Sequence, residues 1–433
     1  MNRIVALAAI AAFSVPAHAM LSSAERRMNG TVDADNDRSV ALLQRLVDQN
    51  SGSMNLAGVA AVGQMMRAEL EPLGFLVRWV PMAAAKRSGH IIATHVGKPG
   101  TKRLLLIGHL DTVFEKDSPF QTFVRNGDDA VGPGAGDDKG GMVVMLSALR
   151  AMKAADTLKS ANIEIVLTGD EEDSGDPIEV ARADLIAAGK RADVALDFEG
   201  LVIEDGADMG SIARRSSNSW TLTTTGKTGH SSLIFGSTYG DGAINELARI
   251  ISSFRSELPE PNLTFNVGLI AGGAQAALDA DGVRATAAGK SNIIPATAVA
   301  RGDFRTLSPE QTTRVKARMN AIVAQHLPVT EATLSFETGG YPAMAPTDGN
   351  RALLTRLNGI NRDLELPEMA VLDPLRRGAG DISFVAGDID GLVGLGTSST
   401  GDHAPGETVS LTSIKRQAKR AAILMSRLSA EAR

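Results

Sequence analysis

The 433-residue chain contains no cysteine, which excludes a thiol nucleophile, disulfide bonds and cysteine-rich zinc sites. Aromatic residues are scarce at 4%, which argues against a protein that stacks sugars or bases. There is no basic block or stripe, and the formal net charge is −6, so nucleic acid is not an expected partner. After the N-terminus no run is apolar and long enough to span a bilayer. No internal repeat or low-complexity segment stands out. What remains is a chain with 43% apolar residues, enough for two domains with sizeable cores, and suited to small molecules or peptides.

The N-terminus reads as an export signal. Met1-Asn2-Arg3 carries one positive side chain, Ile4 to Val15 is apolar, and Ala17-His18-Ala19 offers a small-x-small cleavage site. Residues 1–19 are therefore expected to be removed, leaving an exported protein, periplasmic or secreted, with no membrane attachment. Residues 20–38 are polar and charged and are expected to form a loose leader.

Helical spacing then runs through Val40 to Val47 and through Val59, Val62, Met66, Leu70 and Leu73, ending at Gly74. Phe75 to Val80, His90 to Val96, Leu104 to Ile107, Ile163 to Leu167 and Asp193 to Phe198 read as strands. Met142, Met145, Leu146, Leu149 and Met152 mark an amphipathic helix between them. Strands alternating with helices predict an α/β layer with a largely parallel sheet.

Near residue 212 the texture changes. Trp220 to Thr225 alternates with β period, and a helix follows with Ile244, Leu247, Ile251 and Phe254 on one face. Strands recur at 263–270, 282–288 and 298–304, and Ser308-Pro309-Glu310-Gln311 is a capping box opening a further helix. This is a compact α+β module inserted into the first domain. After Gly339-Gly340-Tyr341-Pro342 the α/β texture returns and closes on a helix striped by Ile414, Ala418, Ala421, Met425 and Leu428. The expected division is 39–211 with 338–433 as one domain, and 212–337 as the insertion.

Five sites share one context: His or acidic residues just past an apolar strand or in a glycine-rich loop. They are His109/Asp111, Asp137/Asp138 in Gly132-Pro133-Gly134-Ala135-Gly136-Asp137-Asp138-Lys139-Gly140-Gly141, Glu171/Glu172, Glu199, and His403 in Gly401-Asp402-His403-Ala404. Singly, each is commoner as a solvated turn. Jointly they converge beyond the carboxyl ends of the strands, where open α/β sheets bind ligands. Two His and several carboxylates without Cys suit one or two divalent ions of the zinc, manganese or cobalt type. With a carboxylate left over as base, metal-assisted hydrolysis is the natural chemistry.

These motifs, with Gly226-Lys227-Thr228-Gly229-His230-Ser231 and Ser291-Asn292-Ile293-Ile294-Pro295-Ala296, resemble one known family. It is the di-zinc exopeptidases and amidohydrolases that include glutamate carboxypeptidase, acetylornithine deacetylase, succinyl-diaminopimelate desuccinylase, aminoacylase and peptidase T. The likeness runs from about residue 38 to the end and is nearest to secreted glutamate carboxypeptidases. It implies a phosphorylase/hydrolase-like α/β catalytic domain with an inserted ferredoxin-like lid that also makes a homodimer.

The resemblance implies that His109 and Glu199 bind one zinc and Glu172 and His403 the other, with Asp137 bridging both. Asp111 would orient His109, and Glu171 would be the general base. His230 would reach a neighbouring subunit's active site, and Asn292 and Arg305 would hold substrate, Arg305 by clamping a carboxylate. The bland alternative for Arg305 is a lid-surface ion pair. Manganese or cobalt could replace zinc. His90, His95 and His326 are expected to be structural.

The chain departs from the family at Arg377-Gly378-Ala379-Gly380-Asp381, at the loop around His403 through Glu407, at a hairpin spanning Ala276 to Ala288, and at Arg214-Arg215. These differences bear on specificity. The expected activity is hydrolysis of an amide next to a free C-terminal carboxylate, on a small peptide or N-acyl amino acid. Dipeptidase, aminopeptidase or N-acyl-amino-acid deacylase activity are alternatives on the same machinery. From another class, a catalytically dead binding protein is the rival.

Overall fold

The computed structural model describes residues 21–433, so the expected export signal at 1–19 lies outside the described residues. Its centre is a six-stranded sheet ordered Leu76–Pro81, Gly89–His95, Asn162–Thr168, Arg103–His109, Val194–Asp197 and Gly391–Leu392. The last four run parallel, and the first two are antiparallel at one edge. The registers pair His109 with Thr168 and Ile107 with Asp197. Three strands therefore deliver their carboxyl ends to one place. Their burial on both faces explains why they read as unbroken apolar runs.

One face of this sheet packs on Lys139–Ala154, which in turn lies beneath Ser23–Ala34, Asn36–Asp48 and Leu411–Ser429. Every residue from Lys139 to Met152 is buried, so the helix expected to be amphipathic is covered on all sides. Arg150 is tolerated there because its guanidinium reaches Glu69 at 2.6 Å. The other face holds Leu105, Ile107, Val166 and Ala195 against Leu185, Ala188, Ile382 and Val385.

The expected loose leader is a helix. Ser22 Oγ accepts from the Glu25 amide and Glu25 accepts from the Ser22 amide, a complete capping box. Met28 and Val32 are buried against the core, and Glu25 meets Arg427 at 2.7 Å. So few apolar residues suffice because the helix uses a single narrow stripe.

The inserted module runs Asn218–Gly226, Ala243–Glu257, Thr264–Gly273, Thr297–Arg305, Pro309–Val323 and Thr330–Phe336. Its antiparallel sheet places the first strand between the third and fourth, and the second at the edge, a ferredoxin-like arrangement. Trp220, Leu222, Leu247, Ile250, Phe254, Phe304, Val315 and Met319 give it a core of its own. The extra hairpin forms from Gln275–Leu278 and Ala285–Ala288.

Two local expectations shift here. The buried face of Ala243–Glu257 is Ala243, Glu246, Leu247, Ile250 and Phe254, leaving Ile244 exposed. Glu246 turns inward because its carboxylate takes the Leu327 amide at 3.0 Å and Arg249 at 2.7 Å. At the 308–311 box, Ser308 caps Gln311, but Gln311 Oε1 accepts from Leu307 rather than from Ser308.

Two straps join module and main domain, pairing Arg214 with Met344 and Ser217 with Tyr341. The crossing falls a few residues beyond the boundaries expected at 212 and 337. Among the described residues no helix is long and apolar enough to cross a membrane.

The N-terminal helix gives a direct test. Met28→Ala removes a fully buried side chain and is expected to cost about 2–4 kcal/mol, read from urea unfolding. An unchanged midpoint would restore the loose leader.

Candidate metal centre

Asp137 lies where the main sheet's strand ends meet the loop before Lys139–Ala154. Its Oδ1 accepts from His109 Nε2 at 3.0 Å and its Oδ2 from His403 Nε2 at 3.2 Å. His403 Nε2 also lies 3.2 Å from Glu172 Oε2. One carboxylate is thus divided between two imidazoles that are far apart in sequence. Burial pushes the Asp137 carboxyl up, but bonds to His109 and His403 win and hold it well below the usual range.

The main chain supports this arrangement at two points. Glu407, 1% exposed, gathers the amides of Gly134 (3.0 Å), Gly136 (2.7 Å) and Asp137 (3.1 Å), fixing the loop that carries Asp137. His403 takes a left-handed φ of +64°, a conformation that costs about 1 kcal/mol or more for a residue with a side chain. Such strain persists where a ligand-holding loop is over-determined by its surroundings.

Asp111 does more than the sequence suggested. The carbonyl oxygen of Asp111 accepts from His109 Nδ1 at 3.1 Å, and its carboxylate lies 3.5 Å from the same atom. That carboxylate also accepts from Ser53 Oγ (2.6 Å), the Glu171 amide (3.0 Å) and the Glu172 amide (3.1 Å). The fully buried Asp111 therefore orients His109 and pins the Glu171-Glu172 loop beside it. Burial, then the negative charge of Glu199, pushes the Glu171 carboxyl well above its ordinary range. Burial and the charge of Asp137 raise Glu172 to about 7.

Glu199 is held differently. It is 7% exposed, and its carboxylate pairs with the guanidinium of Arg214, which is also 3.5 Å from Asp197. The sequence groups Arg214 with the departures that bear on specificity, whereas its guanidinium sits on Glu199, an expected ligand. Arg377 stands nearby, donating to the Gly200 carbonyl at 2.8 Å while its buried Nε has no partner among the described residues. Neither contact is a local sequence pattern. The adjacent basic residues of Arg214-Arg215 were the only signal.

The lid residues separate. His230 is exposed, bonded to Ser232 Oγ at 2.8 Å, and bridged to Ile293 beside Asn292. Arg305 is 3.4 Å from Asp303, and its guanidinium approaches Gly378. His90, His95 and His326 are structural. His90 accepts from the Gly169 amide and donates to the Ala181 carbonyl, His95 donates to Ala161, and His326 meets Glu246.

Ligand atoms of His109, Asp137 and Glu172 lie within 4.8 Å of one another, and bonds of about 2 Å to a shared ion would draw them slightly closer. His403 extends the set on the far oxygen of Asp137, and Asp138 Oδ1 is buried beside it without a partner. Imidazole nitrogens and carboxylate oxygens around a shared carboxylate fit a pair of divalent ions. Fold and donor set together define a metal-dependent hydrolase with a lid.

Residues 105–427 match the model of Peptidase family M20/M25/M40, and the chain belongs to that family. It is 30% identical over 363 residues to carboxypeptidase G2 of Pseudomonas sp. (strain RS-16), covering 81% of this chain and 80% of the relative. It is 24% identical over 397 residues to succinyl-diaminopimelate desuccinylase of Azoarcus sp. (strain BH72), covering 88% and 95%. In fold it is similar to aminopeptidase PepT from Bacillus cereus, with a TM-score of 0.70 at 18% identity, covering 91% and 98%. It is also similar to the Bacillus subtilis YXEP protein, a dinuclear metal-binding peptidase, with a TM-score of 0.64 at 15% identity, covering 92% and 99%. The chain is thus a metallopeptidase of this family.

Without a metal, burial works against charge on His109, but Asp111 and Asp137 hold its pKa well above 6.5. Asp137 and Glu172 raise His403 to about 11. Both imidazoles are then protonated at neutral pH and must lose that proton to bind a metal. Loading apo-protein with zinc at pH 7 is expected to release protons from both imidazoles and from Glu172, and affinity to fall as pH falls. Indicator-dye titration reads this; no proton release would contradict the ligand set.

Proposed function

We propose that the protein is an exported, zinc-dependent carboxypeptidase of the glutamate carboxypeptidase type, cleaving an amide beside a free C-terminal carboxylate. The observation that carries the reading is the Asp137 carboxylate shared between His109 and His403, with the Glu171 amide held by the Asp111 that orients His109. Similarity to carboxypeptidase G2 favours this version over a deacylase.

His109, Glu199, Asp137, Glu172 and His403 would hold two zinc ions. Bound there, the ions would polarise the scissile carbonyl and lower the pKa of the attacking water. Glu171 takes the proton from that water and passes it to the departing amine. Burial raises its proton affinity, which strengthens it as a base. Asp111 keeps the base in place by holding its amide. Arg305 would clamp the substrate carboxylate, with Asn292 assisting. The exposed His230 would serve a partner subunit's site in a homodimer formed through the lid.

Glu171→Gln is expected to keep the metal, by elemental analysis, and lose roughly 10²–10⁴-fold in kcat. Retained turnover would remove Glu171 as base. A panel of N-benzoyl amino acids, N-succinyl amino acids and dipeptides with acidic, aromatic and basic C-terminal residues tests the substrate. Chelator-sensitive release of C-terminal glutamate is the expected result. Preferential cleavage of succinyl amides would instead make it a deacylase, and no hydrolysis with zinc bound would make it a binding protein.

A further inference from the structure

The loop carrying Glu171 and Glu172 is gripped from three directions. Asp111 holds their amides from the main sheet. Arg182, fully buried, holds Asp170 through Nη1 at 2.6 Å and through the Asp170 carbonyl at 3.0 Å, while its Nε reaches Asp381 at 2.8 Å. The third grip comes from Tyr341, whose hydroxyl donates to the Glu171 carbonyl at 2.9 Å. The Tyr341 hydroxyl oxygen in turn accepts from Arg182 Nη2 at 2.6 Å and lies 2.9 Å from Ser174 Oγ. The ring packs edge-on against Phe384, with centroids 5.0 Å apart.

Tyr341 does not belong to the main sheet. It lies on the strap returning from the lid, five residues past the end of the last lid strand at Phe336, and its carbonyl accepts from the Ser217 amide of the outgoing strap at 3.0 Å. Just before it, Gly339 has φ +99°, open to glycine, and a Cβ on Gly340 would lie 2.3 Å from the Ser217 carbonyl oxygen. Glycine is needed at both places, for the turn and for the close crossing. Tyr341 is thus tied by its backbone to the outgoing strap at Ser217 and by its hydroxyl to the Glu171 carbonyl.

We propose that Tyr341 is a positioning residue that ties the Glu171 loop to the strap returning from the lid and so fixes where the Glu171 carboxylate stands. The inference rests on the reading of Glu171 as base. Displacing a reacting group by about 1 Å can cost on the order of a hundredfold in rate, so one hydrogen bond at this point has leverage.

Tyr341→Phe keeps the ring on Phe384, and Arg182 retains Asp170 and Asp381, so the fold has its other supports. In zinc-loaded protein, with the best-cleaved member of the N-acyl amino acid and dipeptide panel, kcat is expected to fall about tenfold and KM to stay within about twofold. Zinc content and thermal midpoint are expected to match the parent. In a Glu171→Ala background the same change is expected to alter the residual rate less than about twofold, because the hydroxyl acts through Glu171. Ser174→Ala, which leaves the Tyr341–Glu171 bond in place, is expected to stay close to the parent.

A Tyr341→Phe protein with parental kcat overturns the proposal. So does an undiminished tenfold loss on top of Glu171→Ala, or loss of zinc or of the fold, which would make the hydroxyl structural. Full activity of Glu171→Ala is a different failure, because it removes the base reading on which the tie depends. A parent protein that cleaves nothing in the panel removes both.

Discussion

The structure depends on one shared carboxylate. Asp137 gives one oxygen to His109 at the end of a central strand and the other to His403 on a late loop. Everything around it keeps that division in place. Glu407 fixes the backbone of the Asp137 loop, Asp111 fixes His109 and the neighbouring acids, and the parallel strand ends fix Asp111. The cost is a dense group of buried acids beside two imidazoles. Burial of this kind persists only where opposing charge compensates it. Divalent ions are the compensation the donor set is built for, with Arg214 supplying part of it at Glu199.

Part of this was legible in the sequence because the candidate ligands sit in short motifs at strand ends or in glycine-rich loops that point to one place jointly, though not singly. His109, Asp137, Glu172 and His403 were readable as one set, and the structure brings their side chains together. Three of the lid's four sheet strands were readable from local pattern, the last, Thr330–Phe336, was not, and the ferredoxin-like order followed from the family resemblance. What escaped were contacts between distant segments. Glu407 meets residues about 270 positions away, and Tyr341 meets Glu171 across the lid insertion. No periodicity carries such information. Arg214 was noticed as a basic pair, but its partner Glu199 lies beyond local pattern.

The misread elements have a common cause. Residues 23–34 looked like a leader because only a thin stripe of apolar side chains is buried, and the capping box does the rest. The first lid helix hides Glu246 inside because backbone and Arg249 groups satisfy it, so its buried face departs from the apolar face. In both cases polar groups, not apolar pattern, decided the local structure. The same lesson applies to the Tyr341–Arg182–Asp170 network, where buried polar contacts join the lid strap to the loop beside the metal ligands.

Metal-edge anomalous diffraction from zinc-loaded crystals tests the central claim most directly. Two peaks are expected about 3.5–4 Å apart with Asp137 between them, one beside His109 and one beside Glu172 and His403. A single peak that Asp137 does not touch, or two peaks without Asp137 as the bridge, would contradict it.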